Sequence, residues 1–271
     1  NGIKAEDLKK FMDKPDAKDL DNPTLLKNID TAARTIINLM NKGVDAFIQV
    51  DSDADGYTSS SILISYLSRR WPNNNIIYRI HPDKSHGVVV DTVPESCELV
   101  IIPDAGSNQI EEHKQLYELG KTIIVLDHHI VSRDENTPAI IVNNQTSDKF
   151  SNKYLSGAGI VYMLIKYLDE NYPWGQCIAD DYLDLVALGM DADMMSMLSL
   201  ETKHLINLGL AQIINPFFRG MTIKNEYSLG GKVTPFGVAF YIAPYVNAVT
   251  RSGTMDEKIV LFESMLEFKS F

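Results

Sequence analysis

The run Val50-Asp51-Ser52-Asp53-Ala54-Asp55-Gly56, three carboxylates at alternate positions behind an apolar stretch, constrains this chain more than any other feature. Residues i and i+2 leaving a strand point the same way, so Asp51 and Asp53 can converge on one cation, with Gly56 expected to let the backbone turn. The context then repeats. Leu99 to Ile102 runs into Pro103-Asp104-Ala105-Gly106, and Ile123 to Leu126 runs into Asp127-His128-His129. A single aspartate in such a place has an ordinary explanation, since aspartates cap helices and populate turns. Their recurrence behind successive apolar runs points instead to a divalent-metal site. Oxygen-rich ligand sets with one or two imidazoles suit manganese or magnesium.

The alternation of periods gives the fold. From Asn22-Pro23-Thr24 a helical pattern sets Leu25, Leu26, Ile29, Ala32, Ala33, Ile36, Ile37 and Met40 on one face, with Gly43 just beyond. A strand over 44–50 follows, then the acidic loop and a helix over 58–70. Strands are predicted at 76–80, 99–102, 122–126 and 139–142, with a helix over 109–119. The remainder reads as helical, over 159–168, 178–188, 202–214 and 235–249. This is the pattern of an α/β fold: a mainly parallel sheet flanked by helices, followed by a helical C-terminal portion. Open α/β sheets place ligands beyond the C-terminal ends of their strands, which joins the acidic and histidine motifs into one site.

Composition narrows the function. A net charge of -11 argues against a protein that coats nucleic acid through a general basic surface, yet leaves room for a local basic groove. Cys97 and Cys177 are too few for a disulfide framework, which fits a reducing compartment. No apolar run approaches the roughly 20 residues that span a bilayer, so a cytoplasmic protein with no membrane partner is the default expectation.

Other residues are more ambiguous. Asp191 and Asp193 close the apolar run Leu183 to Met190, where either can complete a metal shell or simply solvate a helix end. Gly157-Ala158-Gly159 opens a helix, suited to a phosphate or to tight packing. His81 and His86 flank Pro82 and Lys84 in a loop where only a substrate-side role is arguable, and His113 and His204 read as surface or packing residues of amphipathic helices.

Read in order, these segments resemble the DHH phosphoesterase superfamily, and within it the RecJ-like branch of single-strand exonucleases. Asp19 to Leu26 is similar to the RecJ lead-in, Asp51 to Gly56 to the first motif, Pro103 to Gly106 to the second and Asp127-His128-His129 to the third. Val142 to Gln145 resembles the short segment after it, Leu155 to Tyr162 the glycine-containing helix entry, Leu185 to Asp193 the fourth metal motif, and Ile242 to Arg251 a core segment ending in Asn-Ala and Arg. The resemblance implies a lead-in arm over 1–22, a DHH catalytic domain over 23–255 and the start of a connecting helix over 256–271, with no second domain of the DHHA1 kind evident.

It further implies a two-metal phosphodiesterase holding two manganese ions, with magnesium as the alternative. Asp51, Asp53, Asp104, His128 and Asp193 would hold the ions, Asp55 would be a ligand or sit beside them, and Asp104 would bridge. Asp127 would orient the imidazoles, and His129 would contact the scissile phosphate. Arg251, Asn247, His86 and Gly157 would bind strand phosphates. A hydroxide held between the ions would attack phosphorus in line, without a covalent nucleophile.

The implied function is 5′-to-3′ digestion of single-stranded DNA in repair or recombination, beside replication or repair proteins. The alternatives are a small-substrate phosphodiesterase of the same superfamily, acting on short RNA, 3′-phosphoadenosine phosphate or cyclic dinucleotides, and an inactive replication scaffold. The scaffold reading is disfavoured because such proteins lose the ligands that this chain keeps. Asn144 in place of the family's usual proline, and Lys84-Ser85-His86 in place of its glycine-rich loop, are departures on the substrate side.

Overall fold

The computed structural model describes residues 16–132 and 136–266; the beginning of the expected arm and the end of the expected connecting helix lie outside the described residues. Five strands, β1 (Asp45–Val50), β2 (Ile76–Ile80), β3 (Cys97–Pro103), β4 (Thr122–Asp127) and β5 (Ile140–Asn143), form one sheet in the order β2-β1-β3-β4-β5. Every neighbouring pair is parallel. The strands are apolar almost throughout because both faces are covered, and alternate side chains feed separate cores. Ile48, Leu99, Ile101, Ile124 and Leu126 enter the larger core with α1 (Ile29–Asn41), α2 (Ala54–Arg70) and α4 (Gly157–Asn171). Phe47, Val100, Ile102, Ile123 and Val125 enter a smaller core that contains Leu116 of α3 (Ile110–Glu118).

The C-terminal portion comprises α5 (Leu183–Ala192), α6 (Leu200–Ala211), α7 (Pro216–Lys224), α8 (Glu226–Leu229), α9 (Pro235–Tyr241), α10 (Ala243–Ser252) and α11 (Met255–Ser264). Almost wholly buried, α5 packs against α2, α4 and α6, which ties this portion to the sheet layer. No helix among the described residues is long and apolar enough to cross a membrane.

Four local departures from the sequence reading have clear causes. The helix expected from Thr58 begins at Ala54, because the Asp53 side chain caps it by accepting the Gly56 N–H at 3.0 Å. Gly56 is therefore helical and not a turn residue; a Cβ there would lie 2.6 Å from the Asp51 Cβ, so glycine is required by close packing. The pattern from Asn22 is broken into a 3₁₀ turn at Pro23–Leu25 and α1, with Asn28 in the left-handed region at φ 66° between them. The single helix expected over 235–249 is split at Ile242, and Pro244 sits in the first turn of α10, where its missing N–H costs nothing.

Residues 16–22 of the expected arm are tied to the body. The Asp21 carboxylate accepts from the Ser151 N–H and hydroxyl at 2.8 and 2.6 Å, while the Asp21 N–H donates to buried Glu201 at 2.8 Å.

Candidate metal centre

Asp51 follows β1, Asp104 follows β3, Asp127 closes β4 and leads into His128 and His129, and Asp193 caps the end of α5. These ends meet. Asp51, Asp53 and Asp104 each offer an oxygen within 4.8 Å of the others, and Asp55, His128 and Asp193 form a second such group. The groups adjoin through His128, whose Nε2 is 3.2 Å from Asp104 Oδ1, 3.6 Å from Asp193 Oδ2 and 3.9 Å from Asp55 Oδ2. Asp104, His128 and His129 make a third cluster on the same side.

Asp104 is the residue around which this geometry is built. Its backbone is left-handed at φ 63°, a conformation that aspartate tolerates better than most residues. Its N–H donates to the Leu126 carbonyl at 2.8 Å, locking it to β4. Its carboxylate is buried, and Oδ1 has no hydrogen-bond partner among the described residues. An orphaned buried acceptor costs about 1–3 kcal/mol, and a carboxylate ringed by other carboxylates costs more. The orphan oxygen, the surrounding acids and the neighbouring imidazole together fit a divalent cation.

The supporting contacts divide the carboxylates by task. Asp55 accepts from the Ser156 hydroxyl at 2.8 Å and from the Gly157 and Ala158 amides at 2.5 and 3.1 Å, so the N-terminus of α4 clamps it. Gly157, expected on a substrate phosphate, thus gives its N–H to Asp55 instead, and it lies where an added Cβ would be 2.5 Å from the Asp104 Cβ. Asp127 accepts from the His128 and His129 amides at 2.7 and 3.1 Å, from His129 Nδ1 at 2.8 Å and from the Ser107 amide at 2.9 Å. With its lone pairs so engaged, Asp127 is placed to orient its neighbours.

Electrostatics follow this division. Burial, reinforced by Asp55 and Asp53, holds the Asp104 carboxyl well above its ordinary range. The same causes push Asp193 up to about 7. Burial lowers His128, favouring the neutral imidazole that a metal needs. Burial also works to raise Asp127, but the hydrogen bond from His129 outweighs it and keeps the carboxylate well below the usual range. In return Asp127 raises His129 to about 9.

Among the expected phosphate-side residues, His86 is largely exposed and its Nδ1 lies 2.6 Å from Asp51 Oδ2. Burial raises the Asp51 carboxyl, and His86 partly offsets that. Asn247, on α10, accepts the Ala54 N–H at 3.2 Å, which brings it to the metal loop. Arg251, one turn further, is exposed, and among the described residues no hydrogen bond or ion pair ties it to the cluster. Asp191 does not join the cluster either: it is buried, and its Oδ2 is unpartnered among the described residues.

His81 has a structural place instead of the substrate-side role considered for it. It is buried, with Nε2 2.9 Å from the Gly87 carbonyl, and so shapes the loop that presents His86. His113 is wholly buried and bonds the Thr137 hydroxyl at 2.8 Å. Sequence reasoning missed Lys258, a buried lysine of α11 whose ammonium donates to the Pro82 carbonyl at 3.0 Å and braces the same loop. It also gave no role to Asn143, which donates to the His129 carbonyl at 3.0 Å and to the Ser107 hydroxyl at 2.9 Å. A cavity of about 560 Å³ opens beside His129, lined by His86, Ala105, Gly106, Asn108, Gln109 and Ile130 among others.

Comparison with known proteins accords with this geometry. The SPbeta prophage-derived protein YorK of Bacillus subtilis, named as a candidate single-strand DNA-specific exonuclease, is 44% identical over 241 residues, covering 89% of this chain and 41% of that protein. The single-stranded-DNA-specific exonuclease RecJ of Thermus thermophilus is 29% identical over 250 residues, covering 90% of this chain and 37% of RecJ. The crystal structure of that RecJ in complex with Mn²⁺ superposes with a TM-score of 0.75 at 26% identity, over 90% of this chain and 35% of that one. The chain thus spans about two fifths of the length of the curated relatives it matches. Residues 45–190, from the first strand to the helix that precedes Asp193, match the model of the DHH family N-terminal domain. With its Asp127-His128-His129 triplet at the centre of that span, the chain belongs to the DHH family.

Proposed function

We propose that this chain is the catalytic core of a RecJ-like 5′-to-3′ exonuclease that releases nucleoside 5′-monophosphates from single-stranded DNA in repair or recombination. The observation that carries the reading is the orphaned Asp104 Oδ1 between two adjoining ligand groups. Asp51, Asp53 and Asp104 would hold one manganese or magnesium ion, and His128, Asp193 and Asp104 a second, with Asp55 fixed beside them by the amides of α4. Such ions supply Lewis-acid stabilisation of a phosphodiester oxygen and make a bound water acidic enough to attack phosphorus.

The remaining work falls to the protein. His129, held as an imidazolium by Asp127, donates toward the charge that develops on the scissile phosphate. His86 stands across the cavity mouth, where it can meet a second phosphate, and Asn247 and Arg251 extend the same role along α10. The cavity beside His129 offers room for the nucleotide being released.

The test is Mn²⁺-dependent digestion of a long 5′-labelled single-stranded DNA beside an RNA dinucleotide, with Asp104→Asn as control. Release of labelled mononucleotide from the long DNA by the wild type alone is expected. Cleavage of the dinucleotide only would move the chain to the small-substrate phosphodiesterases.

A further inference from the structure

Both oxygens of the Asp51 carboxylate are held by one loop. Gly87 gives its N–H to Oδ1 at 3.0 Å, and His86 Nδ1 lies 2.6 Å from Oδ2. The loop runs from the end of β2 to Val88 and is closed on itself by His81, whose Nε2 is 2.9 Å from the Gly87 carbonyl. At its far end Gln109, just before α3, accepts the Val88 N–H at 2.7 Å and donates back to the Val88 carbonyl at 3.1 Å. Its near end rests on Lys258 of α11, whose ammonium donates to the Pro82 carbonyl at 3.0 Å and reaches the His81 carbonyl at 3.5 Å.

Lys258 is 1% exposed, and packing alone does not account for it. Burying an ammonium is costly, and an apolar side chain of like volume commonly serves stability as well or better. Among the described residues Lys258 has no carboxylate partner; its hydrogen bonds go to backbone carbonyls of the loop. The helix that carries it is firmly seated. Thr254 and Glu257 form a capping box at the start of α11. One turn after Lys258, Phe262 packs edge-on to Tyr57 of α2 at 5.5 Å and against Tyr78 of β2 at 5.0 Å. A lysine on so fixed a support dictates where the loop lies.

We propose that Lys258 is a positioning residue of the metal centre: by fixing the loop that carries His86 and Gly87, it sets the orientation in which the Asp51 carboxylate meets a cation. The path has three links: the Lys258 ammonium to the Pro82 carbonyl, the loop closed by His81, and the Gly87 N–H to Asp51. Groups that stand behind a metal ligand orient it, and their loss typically costs about ten- to a hundredfold in metal affinity or activity. A brace that served the fold alone would show its loss in stability and not in metal affinity. The proposal rests on the reading of Asp51 as a metal ligand of the nuclease given above.

The test compares Lys258→Met, which keeps the volume and removes the donors, with Tyr78→Phe, which removes a different polar contact of α11, the 2.6 Å hydrogen bond from Tyr78 to Glu263. Mn²⁺ is titrated into the metal-free proteins by calorimetry. The expected Kd for Lys258→Met is raised about tenfold or more, with a Tm in EDTA equal to or above that of the wild type, while Tyr78→Phe keeps the wild-type Kd. Amide hydrogen exchange reads the loop directly: the Gly87 N–H should lose protection in Lys258→Met while the amides of α11 keep theirs. Wild-type Mn²⁺ affinity or undiminished Gly87 protection in Lys258→Met overturns the proposal. So does an equal loss of affinity in Tyr78→Phe, which makes Lys258 a residue of helix packing. If Lys258→Met does not fold, Lys258→Gln, neutral and shorter, is judged by the same Kd and exchange. Cleavage of oligo(dT) is followed separately. If the wild type binds Mn²⁺ but cleaves no nucleic acid, the nuclease reading fails, and the Mn²⁺ titration still decides the role of Lys258.

Discussion

His129 Nδ1 and Asp127 Oδ1 stand 2.8 Å apart, and this contact fixes the protonation of the exposed imidazole at the mouth of the metal centre. Its pKa of about 9 lies above the ordinary histidine value, so the imidazolium persists through neutral pH and is lost as pH rises through about 9, while the stability it contributes is full below about pH 6.5 and is lost over the same rise. In metal-free protein the His129 ring proton followed by NMR should titrate near 9. Asp127→Asn should return it toward the ordinary value and slow turnover about a hundredfold, as expected when a positioned proton donor is lost. Titration near 6.5 in the wild type would show that the pair is not formed in solution.

The buried acids predict an inverse relation between pH and stability when metal is absent. Asp191 and Asp193 are raised to about 7 by burial, and Asp104 is raised well above its ordinary range. Groups raised in the folded state contribute stability that is full below the ordinary carboxylate range and is lost as pH climbs through the folded value. His129 adds to the same slope between about 6.5 and 9, while His113, lowered to about 4 by burial, opposes it only below about 6.5. In EDTA the Tm at pH 8 should fall below that at pH 6, and Mn²⁺ should restore it. Asp104→Asn should flatten the slope while abolishing high-affinity Mn²⁺ binding by calorimetry. Asparagine is the informative replacement because it accepts the left-handed backbone at Asp104, whereas alanine adds strain of its own. A Tm that rises from pH 6 to pH 8 in EDTA would contradict this account of the cluster.

Gly157→Ala should damage the site from the other side. Its Cβ would meet the Asp104 Cβ at 2.5 Å and the Asp104 Cα at 2.7 Å, so either α4 or the β3 loop has to move. A loss of about 1–3 kcal/mol in stability is expected from such overpacking, with Mn²⁺ affinity reduced at least tenfold. Gly220→Ala, in the interior of α7 with open space around it, should be neutral or slightly stabilising. Equal Mn²⁺ affinities for the two variants would remove the case for the close approach.

The strands and their acidic ends were legible in the sequence because short apolar runs punctuated by Asp, Pro and Gly leave few alternatives. Leu99 to Ile102 followed by Pro103-Asp104 is a strand-end signal that β3 reproduces. The start of α2 is harder to place, since Asp53, three residues before Gly56, is suited at once to ligating a metal and to capping a helix. The helix α7 lies outside the helices expected from the sequence, although Asn215-Pro216, a cap followed by a first-turn proline, marks its start. His81 and Lys258 are different. Their places depend on a contact between residues far apart in the chain, and no local pattern marks a lysine for burial or a loop histidine for support. Asn247 was picked out through the family resemblance, but its bond to the Ala54 amide became visible only in three dimensions.

The candidate ligands extend from Asp51 to Asp193 and hang on separate strands and on a helix of the C-terminal portion. No subset of neighbouring elements contains the whole cluster, so the long parallel crossovers must all close before it exists. A cation held there would act as a latch on the finished fold, binding the native state and not its precursors. Slow release of manganese would then set the pace at which the sheet comes apart, making metal occupancy a gauge of how long each folded molecule lasts.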